Sequence, residues 1–225
     1  MGRKRWVNLS LDSRRPDELG CNEWGCSGIL PCTQPWDCGK RMPTKTLIYI
    51  VGEPGIGKST TVEALVAPYN KVENYSASIP HLVYADKQGV FALAQLGKNR
   101  ENFSGTDALP MNIIESATKF FTEYSYPRIL AEGARLANKR FLQIALDAGY
   151  KVVLVALEGE STALERRLAR GSKQAESWIK GRRSASRNLA DNPPNNVLVK
   201  RINASLSPEF RAEIIDILWE NNGHA

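Results

Sequence analysis

No stretch of about eighteen consecutive apolar residues occurs in this 225-residue chain, which leaves no candidate for a membrane-spanning helix. The opening Met1-Gly2-Arg3-Lys4-Arg5-Trp6 lacks the apolar segment of a secretory signal, so a soluble, cytoplasmic protein is expected. Histidine is scarce, with two in the chain, and cysteine little commoner, with four. All the cysteines, Cys21, Cys26, Cys32 and Cys38, precede residue 45, in a segment that also holds Trp24, Trp36, Pro31 and Pro35. Their spacing lacks the paired C-x2-C of a zinc knuckle, no histidine lies nearby, and a reducing compartment disfavours disulfides. Residues 1–44 are therefore expected to form a flexible, non-catalytic extension, and residues 45–225 a single domain. An excess of acid is absent too. Thirty Lys and Arg against twenty-four Asp and Glu give a net charge of +6, a bias that favours polyanionic partners such as nucleotides or nucleic acid.

What is present is a phosphate-binding motif in a telling context. Gly52, Glu53, Pro54, Gly55, Ile56, Gly57, Lys58 and Ser59 match G-x-x-x-x-G-K-[ST], the P-loop. The apolar run Thr46-Leu47-Ile48-Tyr49-Ile50-Val51 leads into it as a strand, and Ser59 to Val66 continues as the start of a helix. Glycines allow a tight turn with successive N–H groups pointing inward, at a helix N-terminus whose partial positive charge favours phosphate. The motif predicts that residues 52 to 60, Thr60 included, bind ATP. Lys58 is expected on the β- and γ-phosphates and Ser59 on the Mg²⁺ that ATP carries.

Beyond Thr46 strand-like and helix-like segments alternate, which predicts an α/β fold with a parallel sheet covered by helices on both faces. His81–Leu96 reads as a β-hairpin about Lys87-Gln88-Gly89, Asp107–Tyr124 as a helix, and Arg128–Glu132 as a short buried strand ending in an acid. Ala134–Ala148 has helical spacing, with Gly149 as its stop. Lys151–Glu158 is the clearest buried strand, Ser161–Ala169 the helix after it, Asn196–Lys200 the last strand, and Pro208–Glu220 a closing helix with Phe210, Ile214, Ile217 and Leu218 on its apolar face.

Three acids are candidates for chemistry. Glu132 sits at the C-terminal end of a predicted strand, where open α/β sheets bind ligands, and could orient a Mg²⁺ shell or the acceptor, or serve as a first-turn acid of the next helix. Asp107 could cap its own helix or accept a proton from an acceptor hydroxyl. Asp86 fits turn chemistry. Arg166, Arg167, Arg170, Lys173, Lys180, Arg182, Arg183 and Arg187 form a basic run, which is either a solvated face or a phosphate-gripping element; Trp178 within it could stack on a base or pack on the core.

With these motifs, residues 46 to about 220 resemble the nucleotide- and nucleoside-kinase branch of P-loop proteins. Phe103-Ser104-Gly105-Thr106-Asp107-Ala108-Leu109, Leu130-Ala131-Glu132-Gly133-Ala134-Arg135-Leu136-Ala137-Asn138 and the stretches Arg170–Gln174 and Trp178–Arg182 are similar to bacteriophage P-loop kinases, some of which phosphorylate 5-hydroxymethyluracil in DNA. The resemblance implies a sheet of about five parallel strands, a β-hairpin insertion and an Arg-rich lid at about 166–190. It further implies ATP and Mg²⁺ as cofactors and DNA bearing a modified base as the partner. Lys58, Asp107, Glu132, Arg135, Arg166 and Arg170 are then the catalytic set, with Arg182 and Arg183 as further lid candidates and Arg201–Ser205 near the adenine. The alternatives are a kinase of free deoxynucleoside monophosphates and, from another class, a P-loop ATPase or nucleotide-binding regulatory module.

Overall fold

The computed structural model describes residues 44–74, 77–98, 104–159, 163–169, 171 and 174–221. The expected extension at residues 1–44, its cysteines included, lies outside them save for Thr44. The strands are β1 (Thr46–Val51), β2 (Asn70–Asn74), β3 (His81–Ala85), β4 (Phe91–Leu96), β5 (Arg128–Glu132), β6 (Lys151–Glu158) and β7 (Val197–Asn203). The helices are α1 (Lys58–Val66), α2 (Ala117–Glu123), α3 (Lys139–Asp147), α4 (Ala163–Ala169), α5 (Glu176–Asp191) and α6 (Pro208–Asn221).

All seven strands join one sheet in the order β2-β3-β4-β5-β1-β6-β7. The run from β4 to β7 is parallel, which accounts for the five expected strands, while β3 and β2 extend the β4 edge antiparallel. β1 lies between β5 and β6, and every one of its residues is buried, as a strand covered on both faces requires. Side chains alternate between faces along a strand, and two cores follow from that alternation. Leu47, Tyr49, Val51, Val152 and Leu154 pack with Phe141 and Leu142 of α3 and Leu189 of α5. Ile48, Ile50, Val153 and Val155 pack on the other face with Val62 and Leu65 of α1 and Ile215 and Trp219 of α6.

Several expectations need correcting. The hairpin is real, but it is no insertion, because β4 pairs with β5 and forms the edge of the parallel set. β2, with the sequence Asn-Lys-Val-Glu-Asn, escaped notice because an exposed edge strand needs no apolar face; Val72 is 54% exposed. Residues 107–124 are not one helix. Pro110 forces Leu109 to an extended conformation (φ −89°, ψ 157°), so 3-10 turns at Gly105–Ala108 and Ile113–Ser116 precede the short α2. α3 begins at Lys139 rather than Ala134, since Asn138 accepts the Phe141 N–H through Oδ1 at 2.9 Å and caps the helix there. In α6 the deeply buried residues are Arg211, Ala212, Ile215 and Trp219, while Phe210 and Ile217 are half exposed.

Candidate functional site

The P-loop joins β1 to α1 at the C-terminal edge of the parallel sheet. Gly55 (φ 87°) and Gly57 (φ 105°) adopt the left-handed region, and a Cβ on Gly55 would meet Ala163 O at 2.7 Å. Lys58 Nζ donates to Gly52 O and Glu53 O, both at 3.1 Å, so the ammonium lies over the loop it belongs to. Thr60 Oγ1 donates to Gly57 O at 2.8 Å from an exposed position; this hydroxyl is occupied in closing the first helical turn. Left-handed glycines at positions 55 and 57 let backbone amides gather on one side, the conformation of an anion nest.

On the β5 flank the site is acidic. Ser59 Oγ donates to Glu132 Oε1 at 3.0 Å, Ser104 Oγ lies 3.0 Å from the same oxygen, and the two hydroxyls are 2.9 Å apart. Glu132 is 2% exposed. Burial pushes its carboxyl above the ordinary range, the Lys58 charge opposes that, Asp107 adds to it, and the two serine hydroxyls pull it back. Three hard oxygen donors at the end of the strand beside the P-loop strand suit Mg²⁺, which P-loop proteins hold with the loop hydroxyl and a partner acid. Among the described residues no three His, Cys, Asp or Glu side chains gather, so a cation here would complete its shell with phosphate and water. Ser104 was not singled out in the sequence; its only signal is its place next to Gly105, whose Cβ would fall 2.6 Å from Glu132 Oε1.

Asp107 shares this flank. Its Oδ1 accepts the Ala134 N–H at 2.8 Å and makes no cap to its own turn, so the carboxylate ties the 105–108 turn to the segment after β5. Tyr49 supports both pieces from below: its hydroxyl donates to Gly133 O at 3.2 Å and meets Thr106 Oγ1 at 3.1 Å, and burial holds the phenol protonated. Arg135 lies partly exposed against Met111. Asp86 is excluded from the site. It accepts the Gln88 and Val90 amides in the hairpin turn, and since β3 runs antiparallel to β4 that turn lies at the opposite end of the sheet.

The β6 flank is basic. A cleft of about 260 Å³ opens between the P-loop, the end of β6 and α5, with Glu53, Glu158, Arg167, Arg183, Ser186 and Arg187 among its lining residues. Two N–H groups of Arg183 converge on Glu53 Oε2, which ties α5 to the P-loop through a buried acid. Glu53 thus serves the loop through its side chain as well as its backbone. Of the other basic candidates, Arg182 turns away and lies over the Trp178 ring, 5.3 Å from its centroid, and Trp178 is 42% exposed. The Arg166 side chain and Arg170 lie outside the described residues. Arg201 is not in a loop but within β7, where it pairs with Glu158 and Asp191. Arg167 and Arg211 are both buried; the sequence offers Arg167 only as a member of the basic run and Arg211 not at all, because neither a basic run nor a lone helical arginine carries a sign of burial.

A five-stranded parallel core, a glycine nest running into a helix and a serine–glutamate pair beside it define a P-loop nucleotide-binding protein. The family model described as P-loop Nucleotide Kinase3 matches residues 43–205, and the chain belongs to that family. No curated protein matches the chain. Among solved structures it is similar to one described as nucleolar GTP-binding protein 1 from Plasmodium falciparum, at 12% identity over 81% of this chain and 90% of that one, with a TM-score of 0.31. Among the described residues, no helix is long and apolar enough to cross a membrane.

Proposed function

We propose that this protein is an ATP-dependent kinase that transfers the γ-phosphate to a hydroxyl acceptor. The observation that carries the reading is the convergence of Ser59, Ser104 and Glu132 beside the P-loop, with Asp107 on the same flank. The glycine amides and Lys58 would hold the β- and γ-phosphates, Lys58 exchanging its own loop carbonyls for phosphate oxygens. Mg²⁺, when bound at Ser59 and Glu132, would neutralise charge on the phosphates. The acceptor oxygen attacks the γ-phosphorus, the bond from phosphorus to the β,γ-bridging oxygen breaks, ADP leaves, and the acceptor proton passes to Asp107. A phosphate acceptor would need no such base. The buried Glu132 carboxyl stays with the serines. Arg183 and Arg187 stand on the opposite flank, where closure of α5 would bring cations onto the polyphosphate and exclude water.

The acceptor that the resemblance implies is the hydroxymethyl group of 5-hydroxymethyluracil in DNA. The exposed Trp178, with Arg182 over its ring, and the basic α5 suit a nucleic-acid substrate, the aromatic for stacking and the cations for phosphates. A free deoxynucleoside monophosphate is the second reading, favoured by the name of the family. The test supplies γ-labelled ATP together with hydroxymethyluracil-containing DNA, ordinary DNA or free deoxynucleotides. Label in the modified DNA alone supports the proposal, label only in free nucleotides replaces it with the second reading, and phosphate release without a labelled acceptor indicates an ATPase.

A further inference from the structure

Two buried arginines stand behind the P-loop. Arg167 of α4, 8% exposed, donates from Nη1 to Pro54 O at 2.7 Å. Arg211 of α6, 1% exposed, donates from Nη1 to Ile56 O and from Nε to Ser207 O, each at 3.4 Å. The two loop carbonyls belong to alternate peptide units. Among the described residues every peptide bond is trans, and in a planar trans peptide the C=O and the following N–H point in opposite directions. A guanidinium on Pro54 O therefore turns the Gly55 N–H away from α4. The one on Ile56 O likewise turns the Gly57 N–H away from α6. Gly55 and Gly57 are the left-handed positions of the nest.

Burying a guanidinium is costly unless its donors are satisfied, and apolar side chains would pack these helices more cheaply. Arg167 shows the cost: its Nε is buried and has no hydrogen-bond partner among the described residues, and the residue lines the cleft beside the loop. Both cations also add positive potential at the back of an anion site.

We propose that Arg167 and Arg211 are positioning residues of the phosphate site. By gripping alternate carbonyls they hold the Gly55 and Gly57 amides aimed at the β- and γ-phosphates, and by polarising the same peptides they strengthen those donors. The inference rests on the P-loop being the ATP phosphate site. Neither residue touches the nucleotide in this role, so the effect appears as selectivity for polyphosphate.

The experiment measures binding of ATP, ADP and AMP with Mg²⁺ to the full chain by calorimetry, for wild type, Arg167→Met, Arg211→Met and Arg211→Lys. Each Met variant is expected to weaken ATP and ADP about tenfold or more while AMP changes much less, since a hydrogen bond to a charged group is worth about that factor. Arg211→Lys should recover part of the loss, because an ammonium can also donate to Ile56 O. Unchanged ATP affinity, or a uniform loss for ATP and AMP alike together with lower thermal stability, would overturn the proposal in favour of plain structural support. Should Arg211→Met fail to fold, Arg167→Met and Arg211→Lys carry the same comparison. A wild-type protein that binds ATP no better than AMP would instead refute the P-loop reading on which the inference rests.

Discussion

The two flanks of the P-loop are built from opposite charges and opposite kinds of contact. On the β5 side, Ser59, Ser104, Glu132 and Asp107 form a small cluster, buried at Glu132, in which hydroxyls and an amide satisfy carboxyl oxygens. On the β6 side, Arg183 and Arg187 line an open cleft, Arg167 reaches back to the loop carbonyl of Pro54, and Glu53 is neutralised by Arg183. The difference teaches where each part of a phosphoryl transfer can happen. An acid cluster with one buried and one half-buried member suits a cation and a proton, whereas an open basic wall suits polyphosphate that must enter and leave.

The sharpest way to break this comparison is to remove the group between the flanks. Lys58→Ala should reduce phosphate transfer by on the order of a thousandfold, read as label transferred from γ-labelled ATP; near-normal turnover would show that Lys58 does not engage the transferring phosphoryl group. Next, Glu132→Gln should cost about a hundredfold in transfer at saturating Mg²⁺. The same change should leave the melting temperature of the nucleotide-free protein equal or higher, because Gln still accepts from both serines and removes a charge that burial disfavours. A variant that loses stability and activity together would make Glu132 a structural residue.

Asp107→Asn tests the division within the acidic flank. Transfer to a hydroxyl should fall by about a hundredfold with ATP affinity unchanged. The side-chain oxygen of Asn can still accept the Ala134 amide, so wild-type turnover would remove Asp107 from the chemistry.

The smallest effect lies outside both flanks, at His81, and serves as a control on stability. His81 is fully buried, its Nδ1 2.9 Å from Ile79 O and its Nε2 3.0 Å from the Tyr126 hydroxyl, among the rings of Phe120, Tyr124 and Tyr126. Burial lowers its pKa below the ordinary value of 6.5, and the hydrogen bond to Ile79 partly opposes this. Below pH 6.5 the unfolded chain takes up a proton that the folded chain resists, so the contribution is fully present above 6.5 and is lost as pH falls through that value. The slope from this group is at most about 1.4 kcal/mol per pH unit. Urea midpoints at pH 7.5 and 5.5 should show the loss, and His81→Gln should flatten it; an unchanged slope in that variant would assign the effect to other groups.

How much of this was legible varies by residue. β1, β6 and the P-loop could be read because their signals are local: continuous apolar runs and glycines at fixed spacing. β2 was not, since an exposed edge strand needs no apolar pattern, and the 107–124 segment was misread because helical periodicity outweighed Pro110. Glu132 and Asp107 stood out as acids at element ends, yet the sequence left each with two roles. The structure shows Asp107 bound to the Ala134 amide rather than capping its own turn, and Glu132 bound to two serines. Ser104 had no signal beyond its place beside Gly105, Arg167 none beyond the basic run and Arg211 none at all, because Glu132, Pro54 and Ile56 lie far away from them along the chain.

The sequence by itself determined a strand, a glycine nest and a helix in succession, since φ freedom, apolar runs and the spacing of Lys58 and Ser59 are properties of neighbouring residues. Only the tertiary structure decided what surrounds the nest. Parallel pairing brings β5 and β6 to either side of β1, and that placement puts Glu132 on one flank and the arginine wall on the other. Burial, which raises the Glu132 carboxyl and encloses Arg167 and Arg211, belongs to the packed sheet and helices and to no local stretch of chain.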